Sequence, residues 1–365
     1  MRFVDEFRNP EVVRTLVRAI LDMNPPPMTL MEVCGTHTMS IARCGLRKLL
    51  PPQIRLISGP GCPVCVTPQG EIDAFLKLAH RKDITLATFG DMLRVPGSES
   101  NLEAERARGT DVQIVYSPLD AVEFAKIHPQ QQIVFFGVGF ETTAPTVAVA
   151  LKTAADLKLK NFSVFSAHKL IPPALKALLS SPGCSIDGLI CPGHVSAIIG
   201  ADAYAFAAED YNVSCVVSGF EPTDILQSVL MLARQRAENL AKVEIQYSRI
   251  VTFEGNKTAQ FLLNQTFQPC DTNWRGLGCI PQSGMALREE FAEFDASRRF
   301  SELTEIPSVP EPVGCMCGEI LKGTCEPAGC PLFGRVCTPA DPVGPCMVSS
   351  EGACAAAYKY GEVDD

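Results

Sequence analysis

The sequence has no long hydrophobic run and no excess of positive charge. Its longest apolar runs, such as residues 133–138, are far shorter than the roughly 20 residues of a membrane span. The first residues carry Asp5, Glu6 and Glu11 around no continuous apolar core, which excludes a signal peptide. With 32 basic and 41 acidic residues, a net charge of −9 and no basic stripe, the chain is not expected to bind nucleic acid or an anionic membrane. We therefore expect a cytoplasmic protein.

Three well-known catalytic signatures are also absent. No GxxxxGK[ST] motif is present, so a bound nucleotide would need another binding mode. No HExxH pair points to a zinc protease, and no CxxxCxxC triplet indicates a radical-forming cluster. The chain therefore carries none of these three catalytic motifs.

Cysteine is abundant and unevenly distributed. The chain has 16 cysteines, of which seven lie near the C-terminus: Cys315, Cys317, Cys325, Cys330, Cys337, Cys346 and Cys354. In a secreted module this density would indicate disulfides, whereas in a reducing compartment it indicates metal binding, a cluster or thiol redox chemistry. The surrounding segment has few aromatic or branched residues to form a core, which favours folding around iron–sulfur or zinc.

The middle of the chain alternates apolar strand-like runs with small-residue loops and helical patterns, which predicts parallel α/β structure. A first set of strands is predicted at 54–57, 84–88, 112–115 and 133–137, and a second set at 162–165, 188–190, 213–217 and 245–247. The helix starts "YSPLDAVEFA" and "FEPTDILQSV" are alike, each with Pro in the first turn and Asp two residues later. We therefore predict two similar lobes in tandem.

The predicted division is an N-terminal segment at 1–52, a first α/β lobe at 53–150, a second at 151–265, and an iron–sulfur domain at 266–365, in which a proline-rich linker precedes the cysteine-rich tail. Ligands of open α/β sheets bind at the carboxyl ends of the strands. Several loops at those ends contain polar residues, namely Glu141, Thr142 and Thr143 in "GFETT", His168 in "SAHK" and His194 in "PGHVS". These residues are candidates for contacts to a substrate or nucleotide.

Two short motifs contain cysteines that are candidates for metal binding or thiol chemistry. In "EVCGTHTM", Cys34 precedes His37 by three residues, a pair that suits a transition metal, a Cys–His nucleophile, or simply a buried turn. In "GPGCPVC", Cys62 and Cys65 have the CxxC spacing. That spacing fits a reversible disulfide or half of a zinc site, and it favours the disulfide because no second pair stands nearby to complete a zinc site.

The motifs "CGTHT", "GPGCPVC", "GFETT" and "PGHVS", in this order and followed by the cysteine-rich tail, resemble those of the HypD family of [NiFe]-hydrogenase maturation factors. The resemblance covers essentially the whole chain. It implies two Rossmann-like parallel-sheet lobes in tandem plus an iron–sulfur domain similar to that of ferredoxin–thioredoxin reductase. It also implies a scaffold, with redox activity, on which the Fe(CN)2CO group of the hydrogenase is assembled.

The resemblance implies roles for individual residues. Cys34 would hold the transient iron with His37 beside it, and Cys62 and Cys65 would form the redox pair. A family ligand spacing of 14, 6 and 16 intervening residues assigns a [4Fe-4S] cluster to Cys315, Cys330, Cys337 and Cys354. Cys317 and Cys346 are close enough in sequence to leave this assignment open, whereas Cys325 falls outside the spacing.

The partners implied are a HypC-type chaperone, which shares the iron, and a HypE-type cyanide donor, with this chain as a monomer within the complex. Two alternative functions are also compatible with the residues. A stand-alone iron–sulfur thiol–disulfide oxidoreductase would explain the CxxC motif and the tail but not Cys34 and His37. A zinc-stabilised binding protein is the second alternative.

Overall fold

The computed structural model describes residues 5–361, and its strands alternate with helices along most of the chain. The strands are β1 (Met28–Glu32), β2 (Ile54–Ser58), β3 (Ile84–Thr88), β4 (Val112–Ile114), β5 (Gln132–Gly137), β6 (Phe162–Ser166), β7 (Gly188–Pro192), β8 (Ser214–Ser218), β9 (Val243–Ile245), β10 (Phe267–Trp274) and β11 (Gly278–Leu287). The ends of the first and last predicted segments, residues 1–4 and 362–365, lie outside the described residues.

The helices of the described residues are mostly short, and they connect the strands or cover the sheets. They are α1 (Pro10–Met23), α2 (Gly35–Arg43), α3 (Leu46–Leu49), α4 (Pro63–Val66), α5 (Gln69–Lys77), α6 (Leu102–Ala107), α7 (Pro118–Ile127), α8 (Ala144–Asp156), α9 (Ile171–Leu179), α10 (Gly193–Ile199), α11 (Ala205–Tyr211), α12 (Pro222–Ala237), α13 (Lys257–Thr266), α14 (Ala296–Arg299), α15 (Cys317–Leu321), α16 (Pro345–Val348) and α17 (Ala353–Tyr360). None of these helices has the length and apolarity that a bilayer crossing requires.

Two parallel sheets form the centre of the fold. One has five strands in the order β2-β1-β7-β8-β9, and the other has four strands in the order β4-β3-β5-β6. Every strand pair within the two sheets is parallel. Strands β3 and β8 are buried along their whole length, as expected for parallel strands covered on both faces. The predicted α/β class with two parallel-sheet lobes and a cysteine-rich region is therefore confirmed.

The allocation of strands to the two sheets differs from chain order. Strand β2, predicted in the first lobe, pairs with β1 in the five-stranded sheet, and β6, predicted in the second lobe, pairs with β5 in the four-stranded sheet. The predicted N-terminal segment contributes β1, which lies between β2 and β7. The predicted grouping of strands by chain order is therefore corrected. The physical reason is that buried parallel strands are all continuous apolar runs, and such a run does not indicate which strand it pairs with. The domain boundaries themselves stay predictions.

The antiparallel hairpin β10–β11 lies at the start of the predicted domain at 266–365, ahead of its cysteines from Cys315 onward. Strand β11 contacts the loop that connects β6 of the four-stranded sheet to α9. In this contact Leu170 N–H donates to Ser283 O (2.8 Å), and Met285 N–H donates to His168 O (3.2 Å). The hairpin therefore packs on an α/β lobe.

The two similar helix starts both form capping boxes. At α7, Ser117 and Asp120 exchange side-chain and backbone hydrogen bonds around Pro118. At α12, Glu221 and Asp224 do the same around Pro222. Proline pre-sets the first helical turn, and each acidic side chain satisfies amide groups that have no partner within the helix.

The largest hydrophobic core lies between the sheets and extends into the cysteine-rich tail. It contains the stacked rings of Phe75, Phe136 and Phe165 at its centre. The same cluster of buried side chains includes Cys62 and Cys65 and four of the tail cysteines: Cys317, Cys337, Cys346 and Cys354. The tail therefore shares its core with the α/β lobes and with the CxxC motif.

Candidate metal and redox site

Cys34 lies at the carboxyl end of β1, where the chain turns into α2. It is the residue that precedes the helix, with an extended backbone, and its side chain is only 8% exposed. Its N–H donates to Oε2 of Glu32 (3.1 Å), and the carboxylate also accepts from the Thr38 hydroxyl (2.5 Å). Glu32 thus holds the backbone of Cys34 and the side chain of Thr38, one turn further along α2.

The loop that carries the CxxC motif lies directly against Cys34. Gly35 N–H donates to Gly61 O (3.1 Å). A Cβ atom on Gly61 would collide with the backbone of Val33 and Cys34, so no side chain fits between the two loops. Glycine at this position lets the metal-ligand candidate and the CxxC motif approach each other.

Cys62 and Cys65 are disulfide bonded, with Cα atoms 5.2 Å apart. Cys62 precedes α4 and Cys65 lies in it, with side chains 4% and 0% exposed. Sγ of Cys62 also lies 3.4 Å from Oγ of Ser349, a residue of the C-terminal tail. The structure thus brings Cys34, the dithiol and the tail to one place.

The tail docks on α2 through the residues around Glu351. The Thr36 hydroxyl donates to Oε1 of Glu351 (2.7 Å). A Cβ atom on Gly35 would collide with Glu351, which shows how closely the tail approaches the Cys34 turn. Helix α17 packs on α2, and α16 packs on α4.

Burial controls the ionisation of the groups at this turn. It raises the pKa of the Cys34 thiol to about 12, with the neighbouring Glu351 carboxyl adding to the effect. It also raises the pKa of Glu32 to about 7. At neutral pH the free thiol is therefore protonated, and it would release its proton on binding a metal.

His37 and His194 come together around one phenylalanine. The His37 ring stacks on Phe220 with centroids 5.0 Å apart, and the ring of His194, an exposed residue, stacks on Phe220 at 4.0 Å. Nε2 of His37 lies 2.9 Å from Gly219 O, so this nitrogen carries the hydrogen and donates it. Nδ1 of His37 is buried and has no hydrogen-bond partner. Burial lowers the pKa of His37 to about 4, which keeps the ring neutral.

Six tail cysteines line a single small cavity: Cys315, Cys317, Cys330, Cys337, Cys346 and Cys354. Four of them are the predicted cluster ligands: Cys315, Cys330, Cys337 and Cys354. The two alternative ligands, Cys317 and Cys346, line the same cavity. Sγ of Cys317 lies 2.6 Å from Sγ of Cys346. Cys325 is outside this lining. Burial raises the pKa of the Cys354 thiol, and the neighbouring thiols raise it further.

Within residues 5–361, no three Cys, His, Asp or Glu side chains already converge as ligands of one metal ion. The six thiols therefore do not form a preassembled mononuclear site. Leu332, Phe333 and Met347 complete the walls of their cavity, which gives it an apolar lining.

Glu141, Thr142 and Thr143 lie elsewhere. Glu141 follows β5 and accepts from Ile171 N–H (3.0 Å), and the Thr143 hydroxyl donates to Phe140 O (3.2 Å). In the described part of the chain, no hydrogen bond, ion pair or ring contact joins these three residues to Cys34, the CxxC loop or His194. His168 is buried beside Ser166, 3.1 Å from its hydroxyl.

Sequence reasoning missed several residues of this site. Glu32 carried one usable signal, because an acidic residue interrupts the apolar run that precedes the motif. Ser349 and Glu351 carried none, since each contacts a residue about 300 positions earlier in the chain. Phe220 was visible only as part of a helix start.

The chain resembles one protein family over almost its full length. A family model described as HypD, hydrogenase formation hypA family, matches residues 11–361.

Three curated relatives named hydrogenase maturation factor HypD illustrate the similarity. The protein from Azotobacter vinelandii is 48% identical over 370 residues, covering 99% of this chain and 97% of the relative. The protein from Rhizobium leguminosarum bv. viciae is 46% identical over 376 residues, covering 99% and 96%. The protein from Escherichia coli (strain K12) is 45% identical over 370 residues, covering 99% and 98%.

Proposed function

Because this chain belongs to the HypD family of hydrogenase maturation factors, we propose that it is the scaffold on which the Fe(CN)2CO group of a [NiFe]-hydrogenase is assembled. The observation that carries the proposal is the convergence of Cys34, the Cys62–Cys65 disulfide and the cysteine-rich tail around one turn. The iron is the cargo, and the protein provides the ligand, the redox pair and a dry environment.

Cys34 is the residue proposed to bind the iron. A thiolate is the soft ligand that an iron carrying cyanide and carbon monoxide prefers. The Cys34 thiol is nearly buried, and its backbone is held by Glu32 and by the Gly61 loop. Its pKa of about 12 means that iron must displace the proton, so loading of the site releases one proton per thiolate bond.

His37 is proposed to support the iron site from α2, one turn after Cys34. Its donating nitrogen is held by Gly219 O, which leaves the lone pair of Nδ1 unused. A neutral imidazole can accept a hydrogen bond at this nitrogen without adding charge to the site.

The Cys62–Cys65 pair is proposed to be the redox partner of the iron site. Opening this disulfide consumes two electrons and two protons and gives two thiols. The pair is buried, and it contacts the tail at Ser349, three residues after Cys346. Electrons can thus be exchanged next to Cys34 without opening the site to solvent.

A [4Fe-4S] cluster is the proposed cofactor of the tail. Four thiolates hold such a cluster, and six thiols facing one apolar cavity fit this donor set. Cys315, Cys330, Cys337 and Cys354 would hold it, with Cys317 and Cys346 as neighbouring thiols. When bound, the cluster supplies one-electron transfer. The chain's own contribution is to hold these thiols in a core shared with the CxxC motif.

The proposed partners are a HypC-type chaperone, which adds a second cysteine ligand to the iron, and a HypE-type donor of cyanide. The proposed location is the cytoplasm, because 14 of the cysteines form no disulfide, and thiols that bind iron or a cluster persist in a reducing compartment. Glu141, Thr142, Thr143 and His194 are proposed to contact a substrate or cofactor at the strand ends.

The geometry favours this function over a stand-alone thiol–disulfide oxidoreductase. An oxidoreductase must expose one sulfur of its disulfide to the thiol of a protein substrate. Here Cys62 is 4% exposed and Cys65 is fully buried. Catalytic turnover of a disulfide substrate by the chain alone would favour the oxidoreductase.

The proposed role of Cys34 as the iron ligand is tested by replacing it with serine. The protein is purified anaerobically together with its chaperone. We expect Cys34→Ser to lose the cyanide and carbonyl bands of the infrared spectrum while keeping the iron and acid-labile sulfide of the cluster. Cys184→Ser is the matched control, because Cys184 is exposed and lies away from the site. Full-intensity bands in Cys34→Ser would refute the role.

The cluster ligands are tested in the same preparation by single serine variants. Cys337→Ser is expected to lose most of the acid-labile sulfide and visible absorbance, whereas Cys325→Ser should keep both. Cys317→Ser and Cys346→Ser decide whether either of these thiols replaces a proposed ligand. Zinc without acid-labile sulfide in the unmodified protein would contradict the cluster.

A further inference from the structure

A separate cavity of about 250 Å³ lies where the two parallel-sheet lobes meet the hairpin. None of the cysteines lines it. Its walls include Glu141, Leu170, Ile199, Leu263, Phe267 and Met285. Glu141 and Leu170 follow strands β5 and β6 of the four-stranded sheet, whereas Ile199 ends α10, which follows β7 of the five-stranded sheet. The cavity therefore belongs to the joint between the lobes.

One wall of this mainly apolar cavity contains a carboxyl group that is only half satisfied. Glu141 is 2% exposed, and its Oε1 accepts from Ile171 N–H (3.0 Å). Its Oε2 is buried without any hydrogen-bond partner. Gln260 also lines the cavity, but its amide nitrogen is already used by Ile198 O and Glu254 O, both at 2.8 Å. Burial raises the pKa of Glu141 to about 7.

Other unsatisfied groups surround the same end of the hairpin. Nε2 of His168 is buried without a partner, and the His168 ring lies 5.9 Å from that of Phe267, which lines the cavity. Oγ1 of Thr266, the residue before Phe267, is also buried without a partner. Buried polar atoms in native proteins are normally hydrogen bonded, so a cluster of exceptions needs an explanation.

We propose that this cavity is a binding site for a small organic cation that has an apolar body and N–H donors. The apolar walls would take the body, and an N–H group would donate to Oε2 of Glu141. Hydrogen bonds between charged groups are stronger than neutral ones and favour a cation at this carboxylate. The volume is below the range of drug-sized ligands, which limits the occupant to a compact molecule. Its position at the joint means that the occupant contacts both lobes.

The test is calorimetric titration of the full-length protein with benzamidine at pH 8, above the pKa of about 7 to which burial raises Glu141. Benzamidine joins a compact ring to a cationic N–H donor, and benzoate has the same ring with the opposite charge. We expect saturable binding of benzamidine and none of benzoate. Glu141→Gln should weaken the binding of benzamidine by about tenfold or more, because a charged hydrogen bond is lost.

Two further variants separate binding from structural damage. Ile199→Trp adds a large ring to the cavity wall while keeping the Glu141 carboxyl, and it is expected to abolish binding. Glu293→Gln changes an exposed carboxylate in the same way as Glu141→Gln and should bind benzamidine like the unmodified protein. If Glu141→Gln does not fold, Ile199→Trp decides the question. The site does not exist if benzamidine fails to bind, or binds Ile199→Trp as well as the unmodified protein.

Discussion

Gly61 lies where the absence of a side chain lets two loops of the site approach each other. Because a Cβ atom would overlap backbone atoms of Val33 and Cys34, Gly61→Ala must push the CxxC loop away from Cys34. We expect a loss of about 1–3 kcal/mol in the free energy of unfolding, as for other overpacked buried positions. Thermal or urea unfolding measures it.

Gly90→Ala is the matched control for this prediction. Its nearest neighbour, Cγ2 of Ile114, lies at an ordinary 3.6 Å from the added Cβ. The change should stay within about 0.5 kcal/mol. Equal stability of the two variants would contradict the close approach of the Gly61 loop to Cys34.

Glu141 makes a pH-dependent contribution to stability with a definite sign. Its pKa is raised from 4.5 to about 7 in the folded chain, so between these values the folded state holds a proton that the unfolded state has lost. The free energy of unfolding should therefore fall as pH rises from about 4.5 to 7, by at most about 1.4 kcal/mol per pH unit, and then level off.

The slope is isolated by comparing the unmodified protein with Glu141→Gln in urea unfolding from pH 5 to 8. The free energy of unfolding of the unmodified protein minus that of Glu141→Gln should fall as pH rises through about 7, and it should level off only about one pH unit above that value. A difference that does not change with pH would show that the carboxyl titrates normally.

How much of the site the sequence could predict depended on the distance between interacting residues. Cys62 and Cys65 lie within one turn, so their spacing alone favoured the disulfide that the structure contains. Ser349 and Glu351 approach the site only through folding of the tail onto α2 and α4. No local pattern encodes such a contact, which is why these residues were missed.

At the scale of elements, the contact between α2 and the tail depends on the Thr36–Glu351 hydrogen bond. Thr36→Val would leave the half-buried Glu351 carboxyl without this donor, and losing a hydrogen bond to a charged group destabilises by about 1.5–3 kcal/mol. We expect backbone amides of α16 and α17 to exchange with deuterium about tenfold faster or more, since local opening becomes easier.

Thr153→Val serves as the comparison, because the Thr153 hydroxyl is exposed and donates only to Val149 O of its own helix. Its exchange rates in α16 and α17 should equal those of the unmodified protein. Unchanged exchange in Thr36→Val would mean that other contacts dock the tail.

The sequence located β2 to β9 but missed β1 and the two hairpin strands, and it could not pair the strands that it located. The predicted strand at 84–88 matches β3, and the one at 133–137 starts one residue after β5 begins. Apolar runs bounded by small residues identify such strands, because both faces of a parallel sheet are covered. Strand pairing is decided by tertiary packing and not by the local pattern. The apolar pattern of β2 fits either sheet equally well.

At the scale of the whole molecule, one buried ion pair joins three parts of the fold. Nζ of Lys169, after β6, lies 3.0 Å from Oε1 of Glu71 in α5 and 3.3 Å from the hydroxyl of Thr272 in the hairpin. Both charged side chains are almost fully buried, at 1% and 6% exposure. The pair therefore ties the four-stranded lobe to the segment that follows the CxxC motif.

Lys169→Met should destabilise the protein by about 3–5 kcal/mol, because it leaves Glu71 buried without a counter-charge. The double variant Lys169→Met, Glu71→Met should recover much of the loss, since an apolar pair can replace a buried ion pair. Thermal unfolding measures all three proteins.

Lys160→Met is the control for this comparison. Lys160 and Glu293 form an exposed ion pair, which should contribute less than about 1 kcal/mol. A similar effect of Lys160→Met and Lys169→Met would contradict a special role of the buried pair.

The strand order has a consequence for how the chain folds during synthesis. Strands β1 and β2 leave the ribosome early, but β7, which pairs with the other edge of β1, follows only after all strands of the four-stranded sheet have been made. At roughly 5–20 residues per second, the interval between Ser58 and Gly188 lasts about 6–26 s. During that time the apolar edge of β1 has no neighbour, so the nascent chain must shield it, and with it the turn that presents Cys34, until the later strands emerge.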